Sequence, residues 1–234
     1  IFSRPGQLQI KYIILAGLAL GAQSLSGMFQ TFYYTFVFFV LYFLFRAFFY
    51  GKSFRLRDKI LPLFLISLIS LGIFAVQLLP AYELITHSAR ASLNYRGIVH
   101  PSGESLGLEN FIEMLFPNYS QGNYVRQFTH HYFGFAVVIM IFVSVFLSQR
   151  NKYIQFFTAV SFISIIFALG RHTPFCAMIY RLRLPGFSVL KDPTRINVIF
   201  MFGFSVLSAF GMNKIVGAST SREKRQLSFI AIAV

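Results

Sequence analysis

Apolar residues fill this chain in runs too long and too continuous to be the buried faces of soluble helices. Through residues 12–24, 28–45 (extendable to 50), 60–79, 133–147, 153–169 and 196–216 polar positions are isolated, and another apolar run opens near residue 227. The two-residue alternation of a half-buried strand does not fit them, nor does a single apolar stripe. Helices apolar on all sides do fit. A hydrocarbon core of roughly 30 Å takes about 20 helical residues at ~1.5 Å rise each. The pattern therefore predicts an all-α, polytopic transmembrane helix bundle of six to seven spans. The last span is cut off at Val234, so the chain reads as an internal piece of a longer protein.

The runs differ in kind. Residues 12–24 are few and include Gly17, Gly21, Gln23 and Ser24, which predicts a short, tilted or re-entrant helix packed inside the bundle. Residues 28–45 are nearly all Phe, Tyr, Val and Leu, the make-up of a lipid-facing helix. Residues 60–79 form the cleanest span and are expected to end at Pro80. The connection SQRNK (148–152) is short enough to make its flanking helices antiparallel neighbours.

Composition agrees with this reading. The 234 residues are 56% hydrophobic and 12% charged, against about a quarter charged in soluble domains. The net charge of +14 does not point to nucleic acid, because Lys and Arg sit in connections between apolar runs and form no basic stripe. In a membrane protein such connections mark the cytoplasmic side. Placing residues 46–59 inside puts thirteen Lys and Arg on that side and eight on the other. Residues 80–132 and 170–195 are then extracytoplasmic. The second of these carries five basic residues and one acid, Asp192, on the side where basic residues are depleted, which asks for a local reason. Cys176 is the single cysteine, which excludes an intrachain disulfide and a paired-cysteine metal site.

Residues 80–132 form the one long polar passage and hold four of the seven acidic residues and four of the five histidines. Pro80 suits the first turn of a helix. A helix starting there sets Glu83, His87 and Arg90 at spacings of four and three on one face. That face is either a base with its partners, a site for a hydroxylated ligand, or a solvated interfacial surface with an internal ion pair. Further on, residues 101–124 read as turn, short amphipathic helix and turn, with Phe111, Met114, Leu115 and Phe116 expected at the membrane surface. Glu109 and Glu113 share a face, but the pair lacks the ligand number a divalent cation needs, so no cofactor is indicated. His130 and His131 are adjacent and their side chains diverge, which argues against a shared metal site. They fit the headgroup level or hydrogen bonds to a ligand held in the loop.

Residues 184–195, LPGFSVLKDPTR, carry a sharper signal. Asp192 as N-cap and Pro193 at the first helical position make a well-formed start for the span over 196–216. Free N–H groups then face the outer surface between Lys191 and Arg195, with Arg171 in the same connection. This is a place to hold an anion, at the depth of a lipid phosphate. The competing reading is headgroup anchoring by long basic side chains.

In order along the chain, GLALGAQSLSGMFQ, QLLPAYELITHSAR, YFG and ALGRHTPF followed by LPGFSVLKDPTRIN resemble the bacterial YfhO-type membrane proteins, which are similar in fold to GT-C glycosyltransferases. Two departures stand out. Met28 and Phe29 replace the His-Pro of the family's usual Gly-His-Pro-Gln turn, and Lys191 stands where the family often has Arg. The resemblance implies a protein of the bacterial cytoplasmic (inner) membrane that transfers sugar from a polyprenyl-phosphate carrier to a cell-envelope polymer on the outer face. On that basis Arg171, Lys191 and Arg195 hold the lipid phosphate, while Glu83, His87 and Arg90, with His130 and His131, face sugar or acceptor. The family's acidic base is expected in an outer loop before Ile1. The alternatives are a transporter or lipid flippase, for which the spans lack mid-membrane Asp, Glu, Lys and Arg, and a non-catalytic assembly protein.

Overall fold

A computed structural model describes residues 10–50, 56–87, 105–116, 132–148, 150–182 and 193–217. All regular structure among them is helical: α1 (Ile10–Ser24), α2 (Phe29–Phe49), α3 (Leu56–Thr86), α4 (Leu108–Leu115), α5 (Gly134–Leu147), α6 (Lys152–Ala168), α7 (Pro174–Arg181) and α8 (Asn197–Val216), with 3₁₀ turns at Gly170–His172 and Pro193–Ile196. Among the described residues, three segments are long and apolar enough to cross a membrane, namely Phe29–Phe49, Ile60–Leu84 and Pro193–Val216. α1, α5 and α6 are apolar but shorter, at 15, 14 and 17 residues. Exposed Phe, Leu, Ile and Val residues cover these helices, among them Phe64, Leu68, Val76, Phe146 and Phe162. Such a surface belongs against lipid. The chain is a membrane protein.

It divides into two compact units, Ile1–Leu93 and Asn94–Val234. In the first, α1 lies along α3 because its glycines let the backbones approach. A Cβ at Gly17 would lie 2.8 Å from Ile69, and one at Gly21 2.9 Å from the Cβ of Ile73. Residue numbers rise together on both helices, so α1 and α3 run parallel, with α2 returning between their ends. Phe74 of α3 meets Phe29 and Phe32 of α2 at 5.6 and 4.7 Å between ring centroids. The side chain of Gln23 donates to Thr35 Oγ1 at 3.0 Å and ties α1 to α2.

Pro80 departs from the sequence reading. It neither ends the third span nor opens a new helix, but lies inside α3, which runs on to Thr86. Proline removes one backbone hydrogen bond from a helix interior. Here the residue four positions earlier, Val76, is 73% exposed and Pro80 itself is exposed, so no packed layer is disturbed.

In the second unit α8 is the central helix. Gly203 abuts Ser161 of α6, and Gly211 abuts the Met140 backbone of α5. Pairings of 193 with 170 and 203 with 161 make α8 antiparallel to α6. Pairings of 204 with 133 and 211 with 140 make it parallel to α5. α5 thus begins about two turns deeper than α8. α4 fills the wedge above it: Leu106 and Met114 are buried with Ala168 and Phe200. Two backbone bonds fix α4 there, from Leu106 N–H to the Ala168 carbonyl (2.9 Å) and from Phe133 N–H to the Met114 carbonyl (3.1 Å). The amphipathic segment expected on the membrane surface packs into the unit through Met114, while Ile112 and Phe116 remain exposed.

Candidate functional site

The amino end of α8 is where the sequence reading gains most physical detail. Pro193 opens a 3₁₀ turn over Pro193–Ile196, and the α-helix proper begins at Asn197. The expected helix start is present, tightened by one 3₁₀ turn. Pro193 and Thr194 are buried and Arg195 is half-buried. The turn is pinned from outside. Gly170, with φ +49°, has open to it a left-handed conformation that a side chain would strain. A Cβ there would fall 2.6 Å from Ser105 Oγ and 2.9 Å from Pro193 Cγ. Three chain segments, at Ser105, Gly170 and Pro193, therefore meet at the head of α8.

This junction orders the predicted anion residues in part. Arg171 follows Gly170 directly and Arg195 follows Pro193 by two positions, so two of the three are carried by turns that touch. Lys191 and Asp192 lie outside the described residues. Around the turn, Leu169 N–H donates to the Ile165 carbonyl and His172 N–H to the Leu169 carbonyl, at 3.0 and 2.9 Å. The Thr173 hydroxyl donates to the Ile166 carbonyl at 3.1 Å. α7 then follows, a helix the sequence reading left as connection. Its Cys176 is buried, and burial pushes the thiol up to about 11.

Sequence reasoning missed Asn197. It is 2% exposed, and neither its Oδ1 nor its Nδ2 has a hydrogen-bond partner among the described residues. The available signal was a carboxamide one residue beyond PTRI at the head of an apolar run.

The other expected face belongs to the first unit. Glu83 and His87 are both exposed at the end of α3, one turn apart, with His87 N–H donating to the Glu83 carbonyl at 3.3 Å. Thr86 Oγ1 also donates to that carbonyl, at 2.7 Å. Arg90, His130 and His131 lie outside the described residues. The first two motifs of the family resemblance meet in this unit, since Gly27 (φ +79°) has Gln77 Nε2 3.7 Å from where its Cβ would be. Among the described residues, no group of three or more His, Cys, Asp or Glu is placed to hold a metal ion.

The chain matches no protein-family model, no curated protein and no solved structure. What it can do chemically rests on the geometry above.

Proposed function

We propose that the protein is a membrane glycosyltransferase of the YfhO and GT-C type, moving a sugar from a polyprenyl-phosphate donor to a cell-envelope acceptor at the outer face of the bacterial inner membrane. The observation that supports this most is the head of α8, where Arg195 and the Arg171-bearing turn are carried by segments in contact. A helix amino end presents free N–H groups and a positive dipole, and a guanidinium matches a phosphoryl group with two parallel donors. In this reading Lys191 adds a third cation. The connection that follows the span Ile60–Leu84, as far as residue 132, and residues 170–195 are extracytoplasmic, and six to seven spans cross the bilayer. Glu83, His87, Arg90, His130 and His131 serve the sugar or the acceptor.

In the reaction the acceptor hydroxyl oxygen bonds to the anomeric carbon as the bond from that carbon to the phosphate oxygen breaks, its electron pair leaving with the phosphate. The acceptor's proton passes to a base that is not assigned to a residue of this chain. Cations at the phosphate favour departure because they meet the charge that grows there. A transporter needs ionisable or broken segments at mid-membrane. The charged residues of α2 and α8, Arg46 and Lys214, lie in their last turns, which favours the transferase over a carrier. The test is transfer of labelled sugar by the full-length protein in proteoliposomes from a polyprenyl-phosphate donor. Sugar in the acceptor polymer supports the reading. Uptake of donor across the bilayer without transfer replaces it with the transporter.

A further inference from the structure

The opposite end of the second unit gathers charge that the site above does not use. Gly203 meets Ser161 where α8 and α6 run antiparallel. Lys152 lies nine residues before Ser161 and Lys214 eleven after Gly203, so at ~1.5 Å per residue the two come to within about 3 Å of one level along the helix axes. Arg150 joins them from the connection between α5 and α6. Asn151 holds that connection in shape: its N–H donates to the Ser148 carbonyl at 3.0 Å, and its side chain accepts from Tyr153 N–H at 2.9 Å. Arg150 and Lys152 are exposed and Lys214 is half-buried. Two connections some sixty residues apart in sequence thus bring three cations to one end of one unit.

Helix stability does not account for all three. Lys214, in the last turn of α8, complements the helix dipole, but Lys152 stands in the first turn of α6, where a cation opposes it. Carboxylates do not cancel the charge either. Residues 148–152 contain no acid, and residues 213–226 hold only Glu223 against Lys214, Arg222, Lys224 and Arg225, so the balance stays positive whatever pairs form. The neighbouring surface says what meets it. Phe146, Met212 and Val216 are exposed, each within four residues of Arg150 or Lys214. Apolar surface that gives way to long basic side chains within a turn marks the depth of phospholipid headgroups.

We propose that this end of the second unit is a binding surface for anionic phospholipid, selecting a headgroup of net negative charge over a zwitterionic one. The attraction comes from the summed charge of Arg150, Lys152 and Lys214 and does not need a vacant donor. A zwitterionic headgroup brings the same phosphate together with its own ammonium, which cancels most of that attraction. The acyl chains of either lipid meet Phe146, Met212 and Val216 alike, so selectivity rests on the headgroup. The inference is independent of the transferase reading and of which face of the membrane this end meets.

The test is titration of the purified full-length protein in neutral detergent with dihexanoyl phosphatidylglycerol and, in parallel, dihexanoyl phosphatidylcholine. The wild type is expected to bind the glycerol lipid more tightly. Arg150→Gln, Lys152→Gln and Lys214→Gln should each raise its Kd about fivefold, the effect of one cation near an anionic headgroup, with the Kd of the choline lipid unchanged. Arg150 is exposed in a turn, so its variant should keep the wild-type unfolding temperature and stays readable if a lysine variant is unstable. Arg46→Gln, in the first unit, should bind both lipids like wild type. A wild type without preference for the glycerol lipid overturns the inference, as does Arg150→Gln binding that lipid like wild type. An equal loss in Arg46→Gln also overturns it, because the preference would then belong to the net charge of the whole chain.

Discussion

Single residues set the packing of the second unit. A methyl added at Gly211 would overlap the backbone carbonyl of Met140, which cannot move without displacing α5, whereas one added at Gly203 would meet only the Ser161 hydroxyl, which can rotate. Gly211→Ala should therefore cost about 1–3 kcal/mol and Gly203→Ala clearly less, as read from unfolding temperature in detergent. Equal costs would mean the α5–α8 approach is looser than described. At Cys176 burial favours the neutral thiol, so at pH 8 the thiolate fraction falls on the order of a hundredfold below that of a free cysteine. The native protein should resist maleimide at pH 8 and react once unfolded; fast native labelling would contradict the burial. At this scale the sequence announced Pro193 and Arg195, because their chemistry depends on local position. It could not announce that Asn197 is buried without a partner among the described residues, or that Gly170 receives Pro193 and Ser105, since that depends on chain segments some 25 to 90 residues apart meeting at one point.

Elements were legible where an apolar run stood alone and uncertain where something else had to decide. The runs 133–147, 153–169 and 196–216 match α5, α6 and α8 to within a residue or two, and the run 28–45 matches α2 once its extension toward residue 50 is included. Pro80 was misleading because proline is compatible with either the start or the interior of a helix, and only the exposure around Val76 tells which. For α4 the sequence shows an apolar face but no partner for it; Met114 finds one in the cluster with Phe200, some 85 residues later. In the first unit the approach of α1 to α3 rests on Gly17 and Gly21. Gly21→Leu puts a branched side chain against Ile73 and should cost about 1–3 kcal/mol of stability to thermal unfolding, while Leu at Gly72, which has open space around it, should cost little. Similar losses at both positions would contradict the packing.

At the scale of the whole molecule, the membrane character was written in the composition and the three longest apolar helices carry it. The orientation rests on basic connections, and it can be checked in a Cys176→Ser background. Cysteine placed at exposed Phe116 should react with a membrane-impermeant maleimide in intact cells, and cysteine at exposed Arg150 only after lysis. The reverse pattern would invert the proposed outer site. The candidate site was half legible. The cation cluster stands out because five basic residues fall in a connection that the sequence reading puts on the side where basic residues are depleted, but that the turns bearing Arg171 and Arg195 touch is a property of the fold. The most direct measurement is sugar transfer by the full-length protein as a function of polyprenyl-phosphate donor concentration, in wild type and Arg195→Glu. The account predicts that charge reversal raises the donor concentration for half-maximal transfer at least tenfold, since a repulsive charge replaces a charge-assisted hydrogen bond of about 1.5–3 kcal/mol. Donor dependence unchanged in the variant would contradict it.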